Sequence, residues 1–356
     1  MPVFAGYVKP KEQSDMRRSE MERNKRLGIL TGGGDCPGIN AAIRAVTKYA
    51  VQLDYQVIGF LDGLEGLVNG RHQVLDKINT SGIIDKGGTI LGSSGVDPFK
   101  IEDGPARLFR TFEDFTLGTL VIIGGNTTLG FAHKLSNMGL PVVGIPKTID
   151  NDVKETDYTI GFQTAVQIAA EALDRLRSTA ESHHRVMILE VMGRDTGWIA
   201  TYAGMAGGAD AILIPEIPVD VERLCQMLRG RSEIGKRFSI VVIAEGTKLG
   251  GADVARDTRL AGVGRVLEGI IKEETGLESR TVSLGHVQRG GTPLAYDRSL
   301  ATAFGVKAVE LINDRKHGEM TALKGNEITS VALEKSADGI KAVDPDAYRV
   351  AEIFFG

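Results

Sequence analysis

The feature that most constrains this chain is a recurrence of short, nearly unbroken apolar runs, most of them closed by glycine or a charged cluster and succeeded by an amphipathic stretch. The first, Arg26–Thr31, stops in a glycine cluster; after it Ile39, Ala42, Ile43, Val46 and Ala50 fall at helical spacing. Further strand candidates are Tyr55–Phe60, Thr119–Ile123, Val142–Ile145, Val186–Val191, Ala211–Pro215, Ser239–Ala244 and Thr281–Leu284. Amphipathic stretches such as Thr164–Arg177, Val219–Leu228, Arg259–Lys272 and Tyr296–Leu311 lie between most of them. Strands without polar alternation are buried on both faces, so the expected fold class is α/β, with mostly parallel sheets covered by helices. Ligands of such sheets bind beyond the carboxyl ends of the strands. Function should therefore be sought in the residues just past each apolar run.

A chain of 356 residues is long enough for two α/β lobes. No proline- or serine-rich linker divides it, so two lobes would be joined by crossing segments and not by a tether. The net charge of -4 and the absence of a Lys/Arg-rich run give no reason to expect a nucleic-acid partner. No apolar stretch approaches the roughly 20 residues of a membrane span, so no membrane partner is expected either. Cys36 and Cys225 lie far apart and form no metal-ligand pair, which fits free thiols in a reducing, cytoplasmic compartment. Residues 1–24 read as a polar N-terminal extension.

Several strand ends carry chemistry. Thr31 to Asn40 (TGGGDCPGIN) joins a strand to a helix, where glycines allow close approach of a ligand and a helix start offers free N–H groups to phosphate. Gly32, Gly34 and Gly38 miss the dinucleotide spacing by one residue, which argues against an oxidoreductase. Gly139 to Gly144 with Lys147-Thr148 beyond it mimics a P-loop, but Ile145-Pro146 displaces the lysine, and that reading is rejected. Pro146 to Asp152 (PKTIDND) places two carboxylates two residues apart beside a lysine and a threonine. Such a set suits phosphoryl transfer, one carboxylate taking a hydroxyl proton while the other helps hold a metal. A turn with Asx caps remains the structural alternative. The segments Ser182–Arg185, Met192–Arg194, Ala244–Gly246, Ser279-Arg280 and Gly285–Gly291 add arginines, a histidine and a glutamate at strand ends, a set suited to a sugar phosphate.

The series LTGGGDCPGIN, GGTILGSS, GGN-T-T-LG, PKTIDND, SHHRVMILEVMGR, AEG and GHVQRGG resembles the 6-phosphofructokinase family, in order, from about residue 25 to 330. The resemblance implies two α/β/α lobes with the active site in the cleft between them. The implied phosphoryl-donor lobe is 25–161 plus about 288–330; the implied fructose 6-phosphate lobe is 162–287 plus about 331–356. It implies a glycolytic kinase that converts fructose 6-phosphate to fructose 1,6-bisphosphate with Mg2+, as a homotetramer or homodimer with sites shared between subunits. Asp150 would be the general base, with Asp152 and Thr148 at the metal and transferring phosphate. Met192, Gly193, Arg194 and Glu245 would line the sugar; His286 and Arg289 would hold the 6-phosphate, with Arg185 and Arg280 reaching in from the adjacent subunit. Gly34, Gly95, Gly125, Asn126, Thr127, Thr128 and Lys147 would face the donor, Asn126 also at the metal.

The donor side departs from the family pattern. Gly95 stands where the family has an arginine on the transferring phosphoryl group, and Asn126 where it has an acidic residue near the metal. At the next position glycine leaves room for the ATP α-phosphate and aspartate marks pyrophosphate users; here it is Thr127, which is neither. Its β-branch would crowd an α-phosphate, and Lys147 is shared with pyrophosphate users, so the expected donor is pyrophosphate rather than ATP. Lys147 and Lys100 are the candidates to replace the lost cation. The competing readings are a catalytically weak paralogue that binds sugar phosphate as a regulatory subunit, and a kinase of another sugar phosphate.

Overall fold

A computed structural model describes residues 25–250 and 262–356; the N-terminal extension and the start of the stretch Arg259–Lys272 lie outside them. The apolar runs become strands: β1 Arg26–Thr31, β2 Gln56–Phe60, β3 His72–Leu75, β4 Thr119–Gly124, β5 Val142–Thr148, β6 Ile160–Gly161, β7 Val186–Val191, β8 Ala211–Leu213, β9 Ser239–Ala244, β10 Ser279–Ser283, β11 Glu319–Lys324 and β12 Glu327–Ala332. The helices that shape the site and the core are α1 Ile39–Gln52, α2 Asn126–Asn137, α3 Phe162–His183, α4 Trp198–Ala206, α5 Ala295–Asn313 and α6 Pro345–Glu352.

Two sheets form. The larger runs β12-β11-β5-β4-β1-β2-β3, with the two-residue β6 beside β5; the smaller runs β10-β7-β9-β8. The smaller sheet is wholly parallel, and the larger is parallel except for its edge hairpins β2/β3 and β11/β12. Each central strand is buried on both faces. Ile29, Val121 and Ile123 face a cluster that continues through α1 and α3 to Leu189 and Val242 of the second sheet. Leu30, Leu120 and Ile122 face the other side, against Leu135 and Met320. One apolar core thus spans both lobes, and each fully buried Ile or Leu contributes about 1.5–3 kcal/mol. Helix α5 returns to the large-sheet side and lies so close on α1 that a Cβ on Gly305 would sit 2.7 Å from Ala45 Cβ.

Two differences from the sequence reading have physical causes. The hairpin β11/β12 was not among the candidates, because its second strand is partly exposed and lacks an apolar run. The Gly325-Asn326 pair at its tip was a legible turn signal. Strand β10 begins at Ser279, two residues earlier than the apolar run, because Ser279 and Arg280 pair in register with Val186 and Met187.

Candidate active site

The carboxyl ends of β1, β4 and β5 open onto one cavity of about 190 Å³ between the lobes. It is lined by Gly33 and Gly34, by Gly125 to Thr128, by Lys147, Thr148, Asp150 and Asp152, and by Arg194, Asp195, Arg289 and Ile340. Its shape begins with the glycines after β1. A Cβ on Gly32 would meet Thr128 Cγ2 at 2.7 Å, and one on Gly34 would overlap the Arg289 guanidinium. Backbone and side chain therefore pack where only glycine fits. Lys147, fully buried, holds this loop from below: its Nζ donates to Gly32 O at 2.8 Å and to Gly34 O at 2.6 Å. Burial pulls its pKa below the ordinary lysine value.

The helix whose start opens on the cavity is α2, not α1. Asn126, Thr127 and Thr128 form the first turn of α2, and its N-cap, Gly125, makes no side-chain cap. Free N–H groups at a helix start favour an anion. The N-cap carbonyls of both helices accept from their own first turns, Gly38 O from Ala41 N and Ala42 N and Gly125 O from Leu129 N, but only the first turn of α2 lines the cavity. Both segments expected to face the donor meet here, the glycine loop after β1 through Gly33 and Gly34 and the start of α2 through Gly125 to Thr128.

Asp150 and Asp152 reach the same cavity because Asn151 between them is left-handed, with φ 51°. Asn151 is buried and held by Asp157 O and Thr159 N, so the turn is fixed. Asp150 is 4% exposed; its N–H donates to Thr148 Oγ1 at 3.1 Å and its carbonyl accepts from Thr196 Oγ1 at 3.2 Å. Burial, then the charge of Asp152, pushes its pKa up to about 6. Burial pushes Asp152 upward as well. Three oxygens here, Asn126 Oδ1, Asp150 Oδ1 and Asp152 Oδ1, are buried with no hydrogen-bond partner. Unpaired buried acceptors are costly unless a cation or donor arrives. Among the described residues no cluster of three His, Cys, Asp or Glu is placed to hold a metal ion. The cations around these oxygens are Arg289, Arg194 and Lys147.

Residues 26–312 match the family model described as Phosphofructokinase. The chain is 49% identical over 342 residues to a pyrophosphate–fructose 6-phosphate 1-phosphotransferase from Amycolatopsis methanolica, covering 93% of this chain and 100% of the relative. The chain belongs to the phosphofructokinase family. It is a phosphotransferase. A relative named ATP-dependent 6-phosphofructokinase 3, from Streptomyces coelicolor, is 51% identical over 338 residues, covering 92% of this chain and 99% of that one. Among solved structures, a pyrophosphate-dependent phosphofructokinase from Marinobacter aquaeolei superposes with TM-score 0.79 at 25% identity, covering 93% of this chain and 92% of that one. The relatives' names carry both donors, so likeness within the family does not choose between them.

The expected acceptor residues separate into groups. Met192, Gly193, Arg194 and Glu245 come together at the carboxyl ends of β7 and β9, where Glu245 Oε1 accepts from Arg194 N at 3.0 Å. Gly193 has φ 145° and packs directly on Thr196 O, a contact no side chain would permit. Arg194 Nε lies 3.8 Å from Asp150 Oδ2. His286 and Arg289 share the short 3-10 helix Gly285–Arg289, but Arg289 turns toward the glycine loop and donates to Asp35 O at 3.2 Å. Arg289 therefore lines the cavity with the residues expected to face the donor. Arg185 and Arg280 are not in the cavity. They stand at the amino ends of β7 and β10 and share Glu278, each 3.3 Å from Glu278 Oε2. A six-residue strand spans roughly 20 Å, so within one chain they stand at the opposite end of the sheet from Glu245.

Of the residues expected to face the donor, Thr127 is exposed within the cavity, Thr128 packs between Gly32 and Gly124 and is buried, and Gly95 does not line the cavity. Gly95 is exposed, with no heavy atom within 4 Å of a Cβ built on it. Lys100 does not line the cavity. Sequence reasoning missed Asp195, Thr196 and Ile340 as parts of the site. The first two come directly after Met192–Arg194 and could have been read with it; Ile340 had no local signal. Cys36 and Cys225 are both buried, free thiols, and no helix among the described residues is long and apolar enough to cross a membrane.

Proposed function

We propose that this chain transfers a phosphoryl group to the 1-hydroxyl of fructose 6-phosphate, giving fructose 1,6-bisphosphate, with pyrophosphate as the preferred donor. The observation that carries the reaction is Asp150: a buried carboxylate with an unpaired oxygen, pushed up to about 6, in a cleft shared by two lobes. A general base near neutral pKa works best at neutral pH. Asp150 takes the hydroxyl proton, the freed oxygen attacks the donor's terminal phosphorus, and the bond to the leaving phosphate breaks. Thr148 and Thr196 hold Asp150 in place. Glu245 and the tight Gly193 turn orient the sugar, and His286 takes part in the grip on the 6-phosphate.

Two features support pyrophosphate. The cavity, about 190 Å³, is smaller than the ~300–1,000 Å³ of ordinary small-molecule sites. Thr127 also projects into it from the first turn of α2, where a nucleotide α-phosphate would pass. Arg289 and Arg194, together with the α2 start, supply positive charge that the family arginine at position 95 would otherwise provide. Asn126 and Asp152 present hard oxygen ligands of the kind Mg2+ takes, and these residues would hold it, leaving Asp150 free to act as the base. When bound, magnesium neutralises charge on the donor's oxygens. Because Arg185 and Arg280 face away from the cavity, the reading includes a homodimer or homotetramer in which they complete a neighbour's 6-phosphate site.

A second reading, a catalytically weak sugar-phosphate-binding subunit, draws on Gly95 alone, since no neighbour fills the space of the missing arginine. One assay tests both: purified protein with fructose 6-phosphate and magnesium, given pyrophosphate or ATP. Faster turnover with pyrophosphate is expected. Turnover with ATP only would overturn the donor assignment, and fructose 6-phosphate binding without turnover on either donor would favour the second reading.

A further inference from the structure

Residues 337–344 cross the mouth of the cleft. They leave the short helix Leu333–Ser336, whose Leu333 is buried in the large-sheet core, and enter α6 on the small sheet, where Tyr348 Oη donates to Ile212 O at 2.8 Å. Lys341 fastens the crossing. Its N–H donates to Asp152 O at 2.8 Å and its carbonyl accepts from Trp198 Nε1 at 2.9 Å. Its ammonium donates to Thr156 O at 2.8 Å and Asp157 O at 2.9 Å, and lies 5.0 Å from the Trp198 ring centroid. Two residues on, Val343 N donates to Glu216 Oε1 at 3.0 Å, an oxygen that also accepts from Gly197 N at 3.0 Å. The crossing is thus tied both to the loop that carries the two aspartates and to the first turn of α4.

Ile340 precedes this anchor. It is 43% exposed, and it lines the cavity with Asn126, Thr127 and Asp152. A β-branched side chain on a fastened backbone has few rotamers, so the wall it makes is stiff. It is also out of character with its surroundings, which are otherwise glycines, threonines, carboxylates and cations. Free polar oxygens and an exposed isoleucine side by side mark the boundary between a region built for phosphate and one that repels a polar extension of it.

We propose that residues 337–344 form a strap that sets the size of the phosphoryl donor, with Ile340 the specificity-determining residue and Lys341 the residue that positions it. A compact two-phosphate donor fits the polar part of the cavity, whereas a nucleotide must extend past Ile340 and Thr127. The proposal rests on the reading of this cavity as the donor pocket, but not on which donor the wild type prefers.

The test is the ratio of kcat/KM for pyrophosphate to kcat/KM for ATP, measured on the full chain with magnesium and saturating fructose 6-phosphate. Ile340→Ala, which removes three carbons from the wall, should lower that ratio by at least about tenfold, the low end of what a single methylene is worth in an apolar pocket. The change should appear in the KM for ATP, with the KM for fructose 6-phosphate unmoved. Lys341→Met, which keeps the stem against Trp198 but frees the ammonium's two carbonyls, should shift the ratio the same way. If the wild type turns over neither donor, the Kd values of magnesium pyrophosphate and magnesium ATP supply the ratio. A ratio within twofold of wild type in Ile340→Ala overturns the strap. A wild type that prefers ATP but shows the shift supports the strap while overturning the donor assignment. Binding of neither donor overturns both.

Discussion

Replacing Asp150 by asparagine should remove activity and at the same time stabilise the folded chain at neutral pH. The carboxyl is buried and its pKa rises from 3.8 to about 6. A group whose folded pKa lies above its unfolded one costs stability once it must ionise. That cost is absent below the unfolded pKa, grows between pH 3.8 and about 6, and is complete above 6. At about 1.36 kcal/mol per unit, the full cost is about 3 kcal/mol at pH 8 and roughly half that at pH 5. Asparagine keeps the shape and carries no charge, so Asp150→Asn should gain these amounts. Urea unfolding of both proteins in the presence of a chelator, at pH 5 and pH 8, reads the difference from the midpoints at equal slope. A variant less stable than wild type, or a gain that does not grow with pH, would refute the assignment of Asp150 as a charge held in the fold at a cost.

The same geometry sets other outcomes. Thr127→Gly should lower the KM for ATP by about tenfold or more while leaving that for fructose 6-phosphate unchanged, as read by steady-state kinetics on each donor. Gly95→Arg meets no neighbour within 4 Å, so it should fold normally and raise kcat by at least about tenfold, a small part of what a cation on the transferring group can supply. Lys147→Met removes the donor to Gly32 O and Gly34 O. It should cost about 2–4 kcal/mol in chemical denaturation and reduce kcat as well, because the glycine loop loses its support.

Much of this protein was legible along the chain. The apolar runs that became β1, β4, β5, β7 and β9 are nearly continuous because both faces of each are covered, and such runs need no tertiary information to be read. The PKTIDND segment could be read as a paired-carboxylate turn for the same local reason: Asp150, Asn151 and Asp152 take their arrangement from one left-handed residue. What could not be read was direction and reach. Arg185 and Arg280 stand just before their apolar runs and Arg194 just after its own, so the strand end each occupies was legible, but how far each guanidinium lies from the cavity was not until the sheet was assembled. Arg289 stands in the GHVQRGG segment with His286, and only the packing of the 3-10 helix against the glycine loop turned it onto Asp35 O and into the cavity. Lys147, expected to face the donor, lines the cavity, and only the folded glycine loop shows that its ammonium also supports Gly32 O and Gly34 O.

The sequence by itself determined the α/β class, the family and the carboxylates at the end of β5, because each depends on residues adjacent in the chain or on periodicity. Tertiary structure alone decided which helix start faces the cavity, which cations converge there, and that Ile340 and Lys341, far from PKTIDND in the chain, close its mouth. Those features arise where segments distant in sequence cross, and there contact is set by how the two sheets pack on their shared core.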